Sequence, residues 1–299
     1  MIEAKNLTKI FDGSKALDSV DFTVGQGSVF GLVGSNGAGK STFLRLLAGV
    51  YRPDGGTLLV DGAAPFENSA VKGRVLFISD YPYFFPQATL SEMAAFYRAL
   101  YPRWNENKYA ELCGVFPIAQ KRRLADMSKG MQRQAALVCA LACQPDYLLL
   151  DEIFDGLDPV MRQILKRVLA GEVSGRGMSA VIASHNLREL EDVCDHVGLF
   201  HRGGVVFEQE LDALKCGLCK VQAVFKPMPE PGTFPGLHIL KSSVHGALLE
   251  LLVRDPKEKV KAALEGRGAL SVEAVPLTLE EVFISEMEVA GYDLENILG

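Results

Sequence analysis

The sequence predicts an α/β fold in four parts: an N-terminal antiparallel β region, a parallel-sheet core, an all-helical insertion into that core, and a small C-terminal α/β domain. Three observations predict it. Gly34-Ser35-Asn36-Gly37-Ala38-Gly39-Lys40-Ser41-Thr42 stands between the apolar run Val29–Val33 and the helical pattern Phe43–Leu47, which reads as strand, glycine-rich loop and helix. Short apolar runs ending in polar residues recur downstream: Val75–Ile78 before Ser79-Asp80, Tyr147–Leu150 before Asp151-Glu152, and Val181–Ala183 before Ser184-His185. Such runs are buried parallel strands whose polar ends meet at one sheet edge. From Thr89 to about Leu141 the texture turns helical, in LSEMAAFYRALY, NKYAELCGVF and MQRQAALVCALA.

Composition bounds the possibilities. The 299 residues predict two domains, and 48% hydrophobic with 23% charged residues fits a globular protein. No run approaches the ~18 apolar residues of a membrane span, and the first residues lack the apolar core of a leader. The chain is therefore expected to be soluble and cytoplasmic. A net charge of −6 supplies no overall drive toward nucleic acid. The six cysteines are scattered, as reduced thiols would be. Cys216 and Cys219 form a lone C-x-x-C without the second ligand pair of a structural zinc site, and Cys139 and Cys143, one helical turn apart, read as core packing.

Residues 1 to about 27 alternate apolar and polar, with Ile2, Ala4 and Leu7 and then Leu17, Val20, Phe22 and Val24 as the apolar set. They read as strands joined by the turn Asp12-Gly13-Ser14. Phe11, just before that turn, suits either core packing or stacking on a purine ring. Gly34, Gly39, Lys40 and Ser41 then fit G-x-x-x-x-G-K-[ST]. The glycines let successive N–H groups curl around one anionic centre, and Lys40 adds a full charge there. A nucleoside triphosphate is the expected ligand, with Gly34 through Thr42 as its cradle and Ser41 holding Mg²⁺.

Arg52-Pro53-Asp54-Gly55-Gly56 is a turn, followed by the short strand Thr57–Val60. The helical insertion is placed at about 87–144. After it, Asp151 and Glu152 emerge beside the phosphate loop, and His185 leaves the same sheet edge. Val197–Phe200 and Val205–Phe207 make a closing hairpin around Gly203-Gly204. The domain boundary is expected at 215/216. Beyond the Pro-rich connector Lys226–Gly232, residues 216–299 read as strands and two capped helices, one opening with Asp255 as cap and one with the capping box Thr278–Glu281. The acidic run Glu280–Glu288 reads as a solvated face.

With these motifs in this order, residues 1–212 resemble the ATP-binding subunit of an ABC transporter, which implies a RecA-like phosphate-loop NTPase core. Met127-Ser128-Lys129-Gly130-Met131 stands where the family has its LSGGQ signature, and the S-K-G-M form is similar to that of subunits paired with ABC-2-type membrane domains. The stretches YPRWNENKYAELCGVF and Leu279–Phe283 point to the same group. The resemblance implies an ATPase in which two copies, expected to be identical, sandwich two ATP molecules head to tail. Ser128, Lys129, Gly130 and Met131 of one copy would meet the γ-phosphate held by Lys40 of the other. Phe11 would stack on adenine, Asp151 would hold Mg²⁺ through water, Glu152 would polarise the attacking water, His185 would contact the γ-phosphate, and Asp158 would line the dimer seam. Asp80 aligns with the family's glutamine that contacts Mg²⁺ and the attacking water, with Gln87 as the alternative. Lys129 replaces a glycine, and Ile153-Phe154 replaces the usual Pro-Thr or Pro-Ser.

The implied partner is a separate transmembrane permease, docked on the helical insertion and the aromatic segment Tyr81–Phe85, with the subunit on the cytoplasmic face of the membrane. A soluble ABC-type ATPase acting on ribosomes or DNA would usually carry two phosphate loops or long coiled coils; one loop and no such helix pattern are found. A GTPase is disfavoured because Asn107-Lys108-Tyr109-Ala110 lacks the Asp of an Asn-Lys-x-Asp base reader. Asp80 and Lys129 keep a weakly active regulatory subunit as a further alternative.

Overall fold

A computed structural model describes residues 1–216, 218–229 and 234–289. The chain divides into two compact units, Met1–Glu208 and Gln209–Gly299.

In the first unit, β1 (Ile2–Phe11) and β2 (Ser14–Val24) pair antiparallel across Asp12 and Gly13, whose φ angles of +49° and +81° suit an Asp-Gly hairpin. β3 (Val29–Val33) leads through the glycine-rich loop into α1 (Lys40–Leu47). β4 (Gly55–Val60) returns beside β1, giving a three-stranded sheet of order β2-β1-β4. α2 (Ser69–Lys72), capped by Asn68, precedes β5 (Val75–Ile78). The insertion follows as α3 (Leu90–Leu100), α4 (Glu106–Val115) and α5 (Lys129–Ala142), capped by Thr89, Asn105 and Ser128 respectively. Each cap satisfies an N–H that has no partner inside its helix.

The core is completed by β6 (Tyr147–Asp151), α6 (Pro159–Arg176), β7 (Ser179–Ser184), α7 (Leu187–Glu191), β8 (His196–His201) and β9 (Gly204–Glu210). The second sheet has the order β5-β6-β7-β3-β8-β9, and β5, β6, β7, β3 and β8 run parallel. β3, β6 and β7 are buried at every residue, because helices or the other sheet cover both faces. Phe43, Leu44, Leu46 and Leu47 of α1 join Leu7, Leu17 and Phe22 of the antiparallel sheet and Phe30, Leu32, Leu149 and Val181 of the parallel sheet in one cluster. α1 is thus clamped between two sheets. Leu148, Leu150 and Ile182 alternate with these positions and are buried on the opposite face.

The second unit holds α8 (Leu211–Cys216), β10 (Cys219–Val224), β11 (Ile239–His245), β12 (Leu248–Val253), α9 (Lys257–Glu265), β13 (Ser271–Val275) and α10 (Leu279–Val289). The expected boundary at 215/216 falls at the end of α8, later than the division at Glu208. The antiparallel sheet order β11-β12-β10-β13 is that of a split β-α-β-β-α-β unit, although the described residues between β10 and β11 contain no helix. Val260 and Leu264 of α9 pack on Val221, Ala223, Leu251 and Val253.

Two details differ from the sequence reading. Pro256, not Asp255, caps α9; the Asp255 carboxylate instead accepts from the His238 N–H at 2.6 Å and pairs with Lys259 at 2.5 Å. The Thr278–Glu281 box forms, but Glu281 is not a free solvated acid, since Lys220 Nζ pairs with it at 2.7 Å. The side chains of Glu286 and Glu288 in that acidic run and of Cys216, together with residues 230–232 of the connector, lie outside what the structure describes, while Cys219 packs against the unit's core.

Candidate functional site

The glycine-rich loop, the first turn of α1 and the ends of β5 and β6 line one cavity of about 220 Å³, formed by Ala16, residues 35–42, Asp80, Asp151 and Glu152. Two glycines make the loop possible. Gly34 (φ +154°) lies so close to β8 that a Cβ there would fall 2.3 Å from the Phe200 carbonyl oxygen, and one at Gly39 (φ +109°) would fall 2.8 Å from that of Ala16. Lys40, buried, folds its ammonium back onto the carbonyls of Gly34 and Ser35. It also lies 3.7 Å from Glu152 Oε1. Burial pulls the Lys40 ammonium below the usual lysine range, against the opposing pull of Glu152 and Asp151.

The two acids after β6 are placed differently. Asp151 ends the strand, buried, and accepts a hydrogen bond from Ser41 Oγ at 3.0 Å. Glu152 has left the strand with φ +47°, a left-handed conformation uncommon for a non-glycine residue, and donates its N–H to the Ala183 carbonyl at 2.9 Å. That turn aims its carboxylate at both Lys40 and His185, whose Nδ1 lies 2.9 Å from Glu152 Oε2. Burial pushes both carboxyls above the usual carboxylate range, opposed at Asp151 by the Ser41 hydrogen bond and at Glu152 by Lys40 and His185. A hydroxyl beside a carboxylate is an oxygen donor set of the kind Mg²⁺ takes, so Ser41 and Asp151 fit a magnesium site.

Asp80 lines the same cavity, but its carboxylate is paired with Arg133 of α5. Gln87 is exposed, has φ +68°, and does not belong to the lining. Phe11 is also absent from the lining; 39% exposed, it meets Tyr51 edge-on at 5.2 Å, with Lys9 Nζ 5.2 Å from its ring.

Ser128 is the cap of α5, its Oγ accepting from the Met131 N–H at 3.3 Å. Lys129 turns its ammonium over the Tyr81 ring at 5.0 Å, and Gly130 packs against the loop after β6, where a Cβ would fall 2.5 Å from the Gly156 carbonyl oxygen. Asp158 caps α6, accepting from the Val160 and Met161 N–H groups at 2.9 Å each. Tyr81 and Tyr83 are 69% and 76% exposed, and Phe85 meets Phe96 of α3 at 4.8 Å, so the aromatic segment is a surface feature rather than core.

Two arrangements escaped the sequence reading. Arg133 is one. Behind His185 is the other: Ser184 Oγ donates to buried Glu189 at 2.9 Å, Glu189 pairs with Arg162 at 3.1 Å, and Arg162 Nε donates to the Leu157 carbonyl at 3.0 Å. This chain of contacts links the His185 turn to the loop between β6 and α6. Its only sequence signal was charged residues at helical positions near motif residues.

Comparison with known proteins agrees with this architecture. The family described as ABC transporter matches residues 17–155. The ABC transporter ATP-binding protein YtrB of Bacillus subtilis is 30% identical over 291 residues, covering 96% of this chain and 98% of YtrB. The Nod factor export ATP-binding protein I of Burkholderia lata is 30% identical over 295 residues, covering 95% of each chain. A solved structure described as the ATP binding subunit of an ABC transporter superposes with a TM-score of 0.67 at 26% identity, covering 72% of this chain and 92% of that one. Among the described residues no helix is long and apolar enough to cross a membrane. The phosphate loop, the acid pair and the near full-length relatives together show that the chain belongs to the ABC transporter ATP-binding proteins and is an ATP-hydrolysing subunit of that family.

Proposed function

We propose that this subunit works as a Mg²⁺-dependent ATPase homodimer that powers export through a separate transmembrane permease from the cytoplasmic face of the membrane. The observation that carries the reading is the convergence of Lys40, Ser41, Asp151 and Glu152 on one small cavity at the end of a parallel sheet. The loop amides and Lys40 bind the phosphates. Ser41 and Asp151 hold Mg²⁺, which supplies charge neutralisation for the phosphates when bound. Glu152 accepts a proton from the attacking water, and His185 orients Glu152 and contacts the γ-phosphate. Phe11 stacks on the adenine. Ser128, Lys129, Gly130 and Met131 of a second copy close over the γ-phosphate, so ATP glues the dimer and hydrolysis releases it, with Asp158 along the seam.

Export follows the printed function of the Nod factor relative. The relatives' names favour a transporter over a soluble ATPase acting on ribosomes or DNA. The exposed aromatic segment 81–85 beside α3 is the docking surface for the permease.

Glu152→Gln is the test. The variant keeps ATP binding and loses about 10²–10⁴ in turnover, the value of a positioned general base. Purified from native membranes in mild detergent with MgATP, it brings down one polytopic membrane protein. Parental turnover would overturn the role of Glu152, and recovery from the cytosol alone would overturn the transporter assignment.

A further inference from the structure

Arg133 joins three segments that are far apart in the chain. The residue is 4% exposed and all three guanidinium nitrogens are engaged: Nε and Nη2 donate to the Asp80 carbonyl at 3.2 and 3.1 Å, Nη2 also pairs with the Asp80 carboxylate, and Nη1 donates to the Asp155 carbonyl. Asp80 follows β5 and opens the aromatic segment, Asp155 lies in the loop between β6 and α6, and Arg133 itself sits one turn behind Lys129 and Gly130. A planar fork of donors can serve three acceptors at fixed angles where an ammonium cannot.

The local charge balance makes this pairing necessary. Asp80 lines the cavity together with Asp151 and Glu152, and Lys40 is the one cation in that lining. The Asp80 carboxylate reaches this cavity from just beyond β5. Unpaired, it would be a third anion facing the phosphates.

We propose that Arg133 is a positioning residue that neutralises Asp80 at the rim of the ATP site and ties it to α5 and to the loop after β6. In this arrangement Asp80 is the anchor between the helical insertion and the site, not a ligand of the metal. A movement of the aromatic segment is then felt at Asp155 through one side chain. The proposal rests on the ATPase reading, and a parent chain that bound no nucleotide would fail that reading first.

The experiment measures MgATP affinity and steady-state ATPase of the full chain for the parent, Arg133→Gln, Asp80→Asn and the double variant. Arg133→Gln frees the Asp80 charge and raises KM for MgATP about tenfold. Adding Asp80→Asn to it brings KM back to within about twofold of Asp80→Asn alone, because the two residues act as one unit. A merely structural clasp would leave the double variant as impaired as Arg133→Gln, and that result, or a parental KM in Arg133→Gln, overturns the proposal. The Mg²⁺ concentration for half-maximal activity of Asp80→Asn is read in parallel. It stays within about twofold of the parent if Asp80 serves Arg133; a rise of about tenfold or more identifies a metal ligand and overturns it. Should Arg133→Gln fail to fold, the double variant folds, since its unpaired charge is gone; failure of both overturns the proposal.

Discussion

At the residue scale, Glu152 concentrates the competing forces of the site. Its left-handed φ of +47° holds the carboxylate between Lys40 and His185, and burial still outweighs both partners in setting its proton affinity. The sign of the resulting pH dependence is fixed by linkage. Between the unfolded and the raised folded pKa, the folded state holds a proton that the unfolded state has lost, so stability falls as pH rises through that window. Above the folded pKa the cost is fully present. In the absence of nucleotide, Glu152→Gln is therefore expected to melt above the parent near neutral pH, with the gap closing as pH falls below the folded pKa. Thermal melts across that range check it, and a lower neutral-pH melting temperature would show that the Lys40 and His185 contacts outweigh burial.

Among elements, the decisive contact is the first turn of α5 against the loop between β6 and α6. Gly130 is helical, where alanine would ordinarily gain about 1 kcal/mol. Here its Cβ would meet the Gly156 carbonyl oxygen at 2.5 Å, and a backbone atom cannot swing aside as a side chain can. Overpacking of this kind costs about 1–3 kcal/mol, so the clash wins. Gly130→Ala is expected to lower the urea midpoint despite its better helix propensity. An unchanged or higher midpoint would mean that the loop yields.

For the whole molecule, the two units carry separate cores, one centred on α1 and one on α9. Every residue lining the cavity belongs to the first unit. We expect a chain ending at residue 215 to bind nucleotide with parental affinity, and we propose that the C-terminal unit supports the dimer, so that this chain loses ATP-dependent dimerisation. Sedimentation of a Glu152→Gln version with MgATP is the check, and a dimer equal to that of the full chain would remove that role. Within the second unit, Leu264 is fully buried, so Leu264→Ala should cost about 2–5 kcal/mol in that unit's unfolding, read by calorimetry.

The sequence by itself determined the α/β class, the strand–loop–helix at Lys40, the arrival of Asp151, Glu152 and His185 at one sheet edge, and the helical insertion. These follow from local rules: apolar runs make buried strands, glycines permit the tight loop, and parallel strands end on one side. Only the tertiary structure decided how the side chains pair. Asp80 read as an acid placed toward a metal, yet it meets Arg133, a residue 53 positions away. Ser184, Glu189, Arg162 and Leu157 form a chain of contacts from four segments, and Asp255 leaves its expected cap for His238 and Lys259. A buried charge takes whichever partner the packing brings within reach, and that proximity is a property of the fold, which periodicity and motif spacing do not encode.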